Sequence, residues 1–161
     1  MSEMHELTVT RLIDAPVDAV WHIATGRLAE WWCPKPWTTE ILALDWRPGG
    51  RSAMVMHGPA GEAHPQEGVF LEVVPGERFV FTDAYAAGWV PQTPFMTGIF
   101  TFAGEGGKTR YTASARHWNE AAKTQHAEMG FEAGWGAVAE QLAALAEAEA
   151  RAASFAGESA P

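Results

Sequence analysis

Beyond Trp118 the apolar residues of this chain change their spacing. Up to that point short apolar runs alternate in twos between breaks rich in glycine and proline. From Asn119 to about Arg151 they recur every three or four residues, at Phe131, Trp135, Val138, Leu142 and Leu145. That spacing places one apolar stripe along one helix. At roughly 30 residues the helix would extend about 45 Å if straight. A sheet with one apolar face needs a cover, and no other stretch of the chain is large enough to supply it.

The preceding residues supply the sheet. Glu6–Asp14, with Leu7, Val9 and Leu12 or Ile13 in rough alternation, predicts a first strand. Asp14 is placed to cap a helix that Pro16 begins and Gly26 ends. A second short helix is expected over Arg27–Trp32, stopped by Cys33-Pro34-Lys35-Pro36. Strands follow over Thr39–Leu44, Arg51–His57, His64–Val74, Arg78–Thr82, Met96–Ala103 and Lys108–Ala115. The turns between them are short, so an antiparallel meander is predicted. The exception is Ala84–Pro94, a longer loop holding Tyr85, Trp89 and two prolines. The fold class is therefore α+β, a curved antiparallel sheet of six to seven strands around a long C-terminal helix. One domain is expected over residues 1–150, with a frayed tail over 151–161.

Tryptophan is concentrated early. Trp21, Trp31, Trp32, Trp37 and Trp46 crowd one region with two prolines and the closing Arg47-Pro48-Gly49-Gly50. Each indole brings a large apolar ring and one N–H that needs a partner. Such a cluster is either a local core or the wall of a cavity. A twisted sheet that curves away from a helix leaves a gap where a cavity can form. Further aromatics exceed what one helix stripe requires, and Met54 and Met56 alternate on one strand face as an adaptable wall. The candidate lining is Trp32, Trp37, Met54, Met56, Phe70 and Tyr85, continued by Trp89, Phe95, Phe100, Trp118, Phe131 and Trp135. The loop Tyr85–Pro94 is the candidate lid.

Composition narrows the classes of partner. A formal charge of −9 without any Lys/Arg cluster opposes nucleic acid and anionic membrane surfaces. No apolar run is long enough to span a bilayer, and MSEMHELTV lacks the basic-then-apolar order of a secretory signal. The single cysteine, Cys33, is read as a buried, reduced thiol in the cytoplasm. The six histidines show no HExxH spacing, so neither a metal nor another cofactor is expected.

Motifs with chemical potential are few. There is no GxSxG, GxGxxG or phosphate-cradling loop. Glu67 and Glu72 are five apart on one predicted strand, so alternation sets them on opposite faces and turns one inward as a possible base. The other reading is a pair of solvated glutamates. Arg47 either holds an acidic ligand or decorates a tight turn. Gly130, Gly134 and Gly136 either let the sheet approach the helix or leave room for a ligand.

Several short blocks resemble the activator of heat-shock protein 90 ATPase homologue family, within the START-like, helix-grip (SRPBCC) superfamily. They are Asp14-Ala15-Pro16 with Val20-Trp21, Trp31-Trp32 with Pro34, Trp37, and Leu44-Asp45-Trp46-Arg47-Pro48-Gly49-Gly50. Gly68 to Val73, Phe79 to Thr82, Lys108-Thr109-Arg110, His126 to Phe131 and Gly134-Trp135 follow in the same order. The resemblance covers about Leu7–Ala146. It implies a helix-grip fold with a cavity between sheet and long helix. It implies no single reaction, since the family includes chaperone partners, binders of lipophilic small molecules and relatives of polyketide cyclases. The leading expectation is binding of an apolar or aromatic small molecule. The alternatives are a chaperone cofactor that docks on a partner and a cyclase- or hydrolase-like enzyme. A homodimer through edge strands is also expected as an option.

Overall fold

The computed structural model describes residues 4–158. Strand β1 (His5–Ile13) leads into α1 (Val17–Gly26) and the single-turn α2 (Leu28–Trp31). Strands β2 (Thr38–Leu44), β3 (Arg51–His57), β4 (Ala63–Val74) and β5 (Arg78–Thr82) follow. A two-rung hairpin, β6 (Tyr85–Ala86) with β7 (Val90–Pro91), interrupts the order before β8 (Thr97–Glu105) and β9 (Lys108–His117). Helices α3 (Glu120–Glu128) and α4 (Phe131–Glu158) end the chain.

Seven strands form one antiparallel sheet in the order β1-β9-β8-β5-β4-β3-β2. The predicted meander runs from β2 to β9, and β1 adds to its far end by pairing His5 with His117 through Ile13 with Thr109. Strands β1 and β2 are thus consecutive in sequence yet sit at opposite edges. The α1–α2 segment carries the chain from one edge to the other. Helix α4 packs along β1 and against α1 and α2. Its stripe of Phe131, Trp135, Val138, Leu142 and Ala146 is buried. Space opens where α4 and α2 face the β3–β4–β5 half of the sheet.

Four local expectations are corrected. The C-terminal helix is two helices, because Gly130 adopts φ +95°, a left-handed conformation that ends α3 and restarts the chain as α4. Helix α4 also runs through Arg151 to Glu158, where the sequence suggests a frayed end; residues 159–161 of that expected tail lie outside the described residues. Asp14 does not cap α1, since Pro16 holds the cap position and the Asp14 N–H donates to Glu147 at 3.0 Å. Finally, Glu67 and Glu72 share one face. The register slips between Phe70 and Glu72, and that bulge reverses the alternation on which the opposite-face argument rests. Both carboxylates pair outward, Glu67 with Arg51 at 2.9 Å and Glu72 with Arg78. Neither is an inward base.

Candidate functional site

The tryptophan cluster becomes a continuous aromatic seam through the protein. Trp46 stacks on Phe70 with centroids 4.5 Å apart, and its edge meets Phe79 at 5.0 Å. Phe79 stacks on Phe100 at 4.6 Å, and Phe100 on Trp135 of α4 at 5.6 Å. Trp32 stands edge-on to both Phe100 and Trp135, at 5.9 and 5.5 Å. Each such contact contributes about 0.5–1.5 kcal/mol beyond area burial, so the seam is a rigid wall.

Position 32 is fixed from α4. Gln141 Nε2 donates to the carbonyls of Trp31 and Cys33, both at 2.9 Å, and Gln141 Oε1 accepts from the Lys35 N–H at 3.0 Å. Thr39 Oγ1 donates to the Trp32 carbonyl at 2.8 Å. Cys33 therefore holds φ +75° in a well-anchored segment. Its thiol is buried, and burial pushes its pKa up, as fits an unreactive side chain.

Trp32 separates two spaces. On its sheet side lies an inner chamber between α2 and β3–β5, closed by Trp46, Met54, Phe70, Phe81 and Phe100. Its free space is only ≈ 40 Å³, enough for a few waters. On its α4 side lies a lateral cavity of ≈ 260 Å³, walled by Trp32, Met56, Phe95, Met96 and Trp135. Drug-sized ligands occupy pockets of about 300–1,000 Å³, so the lateral cavity approaches that range and the inner chamber does not. Gln66 and Met96 touch both spaces. Gln66, Met56 and Asp83 carry the lateral cavity into a shallower outer groove beside Glu67 and His64.

Of the twelve residues chosen from sequence, seven line these spaces. Met54, Phe70 and Phe100 face the inner chamber, Met56, Phe95 and Trp135 the lateral cavity, and Trp32 both. Five lie elsewhere. Phe131 is core packing behind Trp135, at 4.6 Å. Trp37 lies in an outer groove and meets the His64 ring at 5.4 Å. Trp118 is 53% exposed, and Tyr85 and Trp89 lie on the β6–β7 hairpin with Trp89 58% exposed. The hairpin tip is no lid over these spaces. Trp89 leans on the Asp45–Gly50 turn, where a side chain on Gly49 would come within 3.1 Å of its ring. Only the base of that loop, at Gln92, Thr93, Phe95 and Met96, borders the cavities.

The glycine alternatives separate. Gly130 shapes the helix junction. A side chain on Gly136 would meet nothing within 4 Å, and one on Gly134 only Pro34, at an ordinary 3.8 Å. The sheet does not approach here, and Gly134 borders the lateral cavity. Arg47 pairs with Asp45 at 2.7 Å on an exposed turn. Gly50 is required there, since a Cβ would sit 2.0 Å from the Asp45 carbonyl oxygen.

Two buried polar features escape sequence reading. The indole N–H of Trp32 is buried without a partner among the described residues. His117 of β9 and His126 of α3 form a direct ring–ring hydrogen bond of 2.8 Å. The two histidines are nine residues apart across a strand–helix junction, so no motif spacing announces them. Burial, and then the neighbouring His117, hold the His126 pKa down to about 4. Among the described residues no group of three or more His, Cys, Asp or Glu could hold a metal ion. No helix among them is long and apolar enough to cross a membrane.

A curved antiparallel sheet closed by a long C-terminal helix, with space at their junction, defines a helix-grip protein. The family model for activator of Hsp90 ATPase homolog 1-like proteins matches residues 14–147, and the chain belongs to that family. A crystal structure of a protein from Nitrosomonas europaea is 37% identical, with a TM-score of 0.83 over 89% of this chain and 95% of that one. A second, from Mycobacterium smegmatis, is 28% identical with a TM-score of 0.74 and the same coverage. A protein from Silicibacter pomeroyi, named AHSA1, shares the fold at 19% identity and a TM-score of 0.67, over 89% of this chain and 99% of that one. No curated protein matches the chain.

Proposed function

We propose that this protein binds an apolar or aromatic small molecule in the lateral cavity between sheet and α4. The observation that carries the reading is the ≈ 260 Å³ space walled by Trp32, Met56, Phe95, Met96 and Trp135. Aromatic faces and methionine sulfur suit a flat, polarisable guest, and the rigid seam keeps the site formed without it. Native mass spectrometry of freshly purified protein tests this: a retained mass that is lost on denaturation is expected. Titration with naphthalene-sized probes, read by calorimetry, gives the affinity. Saturable binding supports the reading, and no uptake of any such probe overturns it.

A second reading rests on the hairpin. Tyr85, Trp89 and Val90 form an exposed apolar patch outside the cavity, which suits docking on a protein partner such as a heat-shock protein 90 chaperone. Pull-down with the host chaperone and measurement of its ATPase rate test this. An unchanged rate and no capture dismiss it. In either reading we place the protein in the cytoplasm. Pairing of free β1 or β2 edges into a homodimer would show as twice the monomer mass by light scattering.

A further inference from the structure

The His117–His126 pair fixes which ring nitrogen is left for a ligand. His117 Nδ1 lies 3.1 Å from the His5 carbonyl oxygen, which can only accept, so His117 carries its proton on Nδ1. His117 is buried and has no carboxylate partner among the described residues, and an unpaired buried charge is costly. Its Nε2 is then an acceptor, and the 2.8 Å contact must be donated by His126 Nδ1–H. One proton on Nδ1 leaves a lone pair on His126 Nε2.

That nitrogen has no hydrogen-bond partner among the described residues, and His126, a largely buried residue, lines the lateral cavity. The ring is held by Phe95 at 5.0 Å, Phe131 at 5.1 Å and Trp135 at 5.8 Å, which fixes its orientation. The charged group on the cavity wall, the Asp83 carboxylate, is also an acceptor. Its Oδ1 takes the N–H groups of Phe95 and Met96, at 2.9 and 3.2 Å. Glu67 lies just outside in the outer groove. Trp32 and Gln66 bear donors on the same wall, and the charge nearest the cavity is negative, which disfavours an aromatic acid.

We propose that the cavity selects a neutral aromatic hydrogen-bond donor, of phenol or indole type, whose O–H or N–H donates to His126 Nε2. The role of His126 is positional selection of the guest. The relay His5 carbonyl–His117–His126 keeps the accepting nitrogen unprotonated and in place. This rests on the binding reading above.

Calorimetry with 2-naphthol, 2-methoxynaphthalene and 2-naphthoate on the intact protein at pH 7 tests the proposal. The three probes share one ring system and differ in donor, acceptor and charge. A single hydrogen bond gained on binding predicts up to about tenfold tighter binding of the naphthol than of its methyl ether, with the naphthoate weakest. His126→Phe keeps the aromatic contacts and should bring the naphthol down to the affinity of the ether. Equal affinity for naphthol and ether in the natural protein overturns the donor selection while leaving the binding reading intact. No binding of any probe removes both. Nitrogen-15 NMR of the histidine rings needs no variant. It should show both rings neutral with protons on Nδ1, and an Nε2 shift of His126 on adding naphthol. A proton on His126 Nε2, or a charged His117, overturns the proposal.

Discussion

One side chain of α4 decides how the cavity wall stands. Gln141 makes three hydrogen bonds to the backbone of residues 31, 33 and 35, and Trp32 sits between them. Gln141→Leu fills similar volume but strands those groups, and should cost about 1–3 kcal/mol in urea unfolding, with a shifted tryptophan emission spectrum. His126 makes a second residue-scale prediction. Its pKa falls from 6.5 to about 4 on folding, so the unfolded chain binds the proton first. Stability contributed at neutral pH is then lost as pH falls from about 6.5 towards 4. The groups bearing on His126 are His117 and, across the cavity, Asp83; His5 pairs instead with Glu120. The melting temperature should drop across that window, and His126→Phe should flatten the drop. Neither residue was legible. Gln141 sits in an otherwise ordinary helix, and the histidine pair arises only when β9 and α3 meet. The lining was partly legible because aromatics and methionines in excess of one helix stripe must go somewhere. Phe131, Trp37 and Trp118 show the limit, since an aromatic residue in sequence looks the same in a wall, a core or a surface.

At the scale of elements, the turns were the most readable part. Pro48-Gly49-Gly50, Pro75-Gly76-Glu77 and Gly106-Gly107 each close a hairpin or bend, and Gly49, Gly76, Gly106 and Gly107 all have positive φ. The bulge after Phe70 was invisible, because alternation assumes an unbroken ladder and nothing in Leu71 marks the slip. The break at Gly130 was hidden by its neighbours: three nearby glycines look alike until one of them leaves helical geometry. They should respond differently to the same change. Gly136→Ala meets no obstacle and should stabilise α4 by up to about 1 kcal/mol. Gly130→Ala must hold φ +95° with a Cβ, and should destabilise by about 1 kcal/mol or more. Paired thermal melts of the two variants separate helix propensity from junction geometry.

Taken whole, the molecule divides its apolar interior unequally. The inner chamber is nearly filled by its own aromatics, and the larger space lies beside α4, where Gly134 leaves the helix surface bare. Gly134→Leu should therefore fold normally yet lower probe affinity at least tenfold, measured by calorimetry beside a melt. Charge adds direction to this layout. Asp83 and Glu67 at the cavity and its outer groove sit on a protein of net charge −9, so anionic guests are opposed at both ranges.

The placement of β1 has a consequence for how the chain is made. Strand β1 finds the last of its partner 112 residues later, when His117 follows His5 into the sheet. At about 5–20 residues per second, that wait is on the order of 5–20 s. Throughout it β1 is an unpaired edge. The sheet that does form has its apolar face bare until α4, which follows every strand of the sheet, arrives to cover it. Such long-range closure slows folding, so the nascent chain passes through a stage that is sticky by construction, and its yield in a cell will depend on what shields it during those seconds.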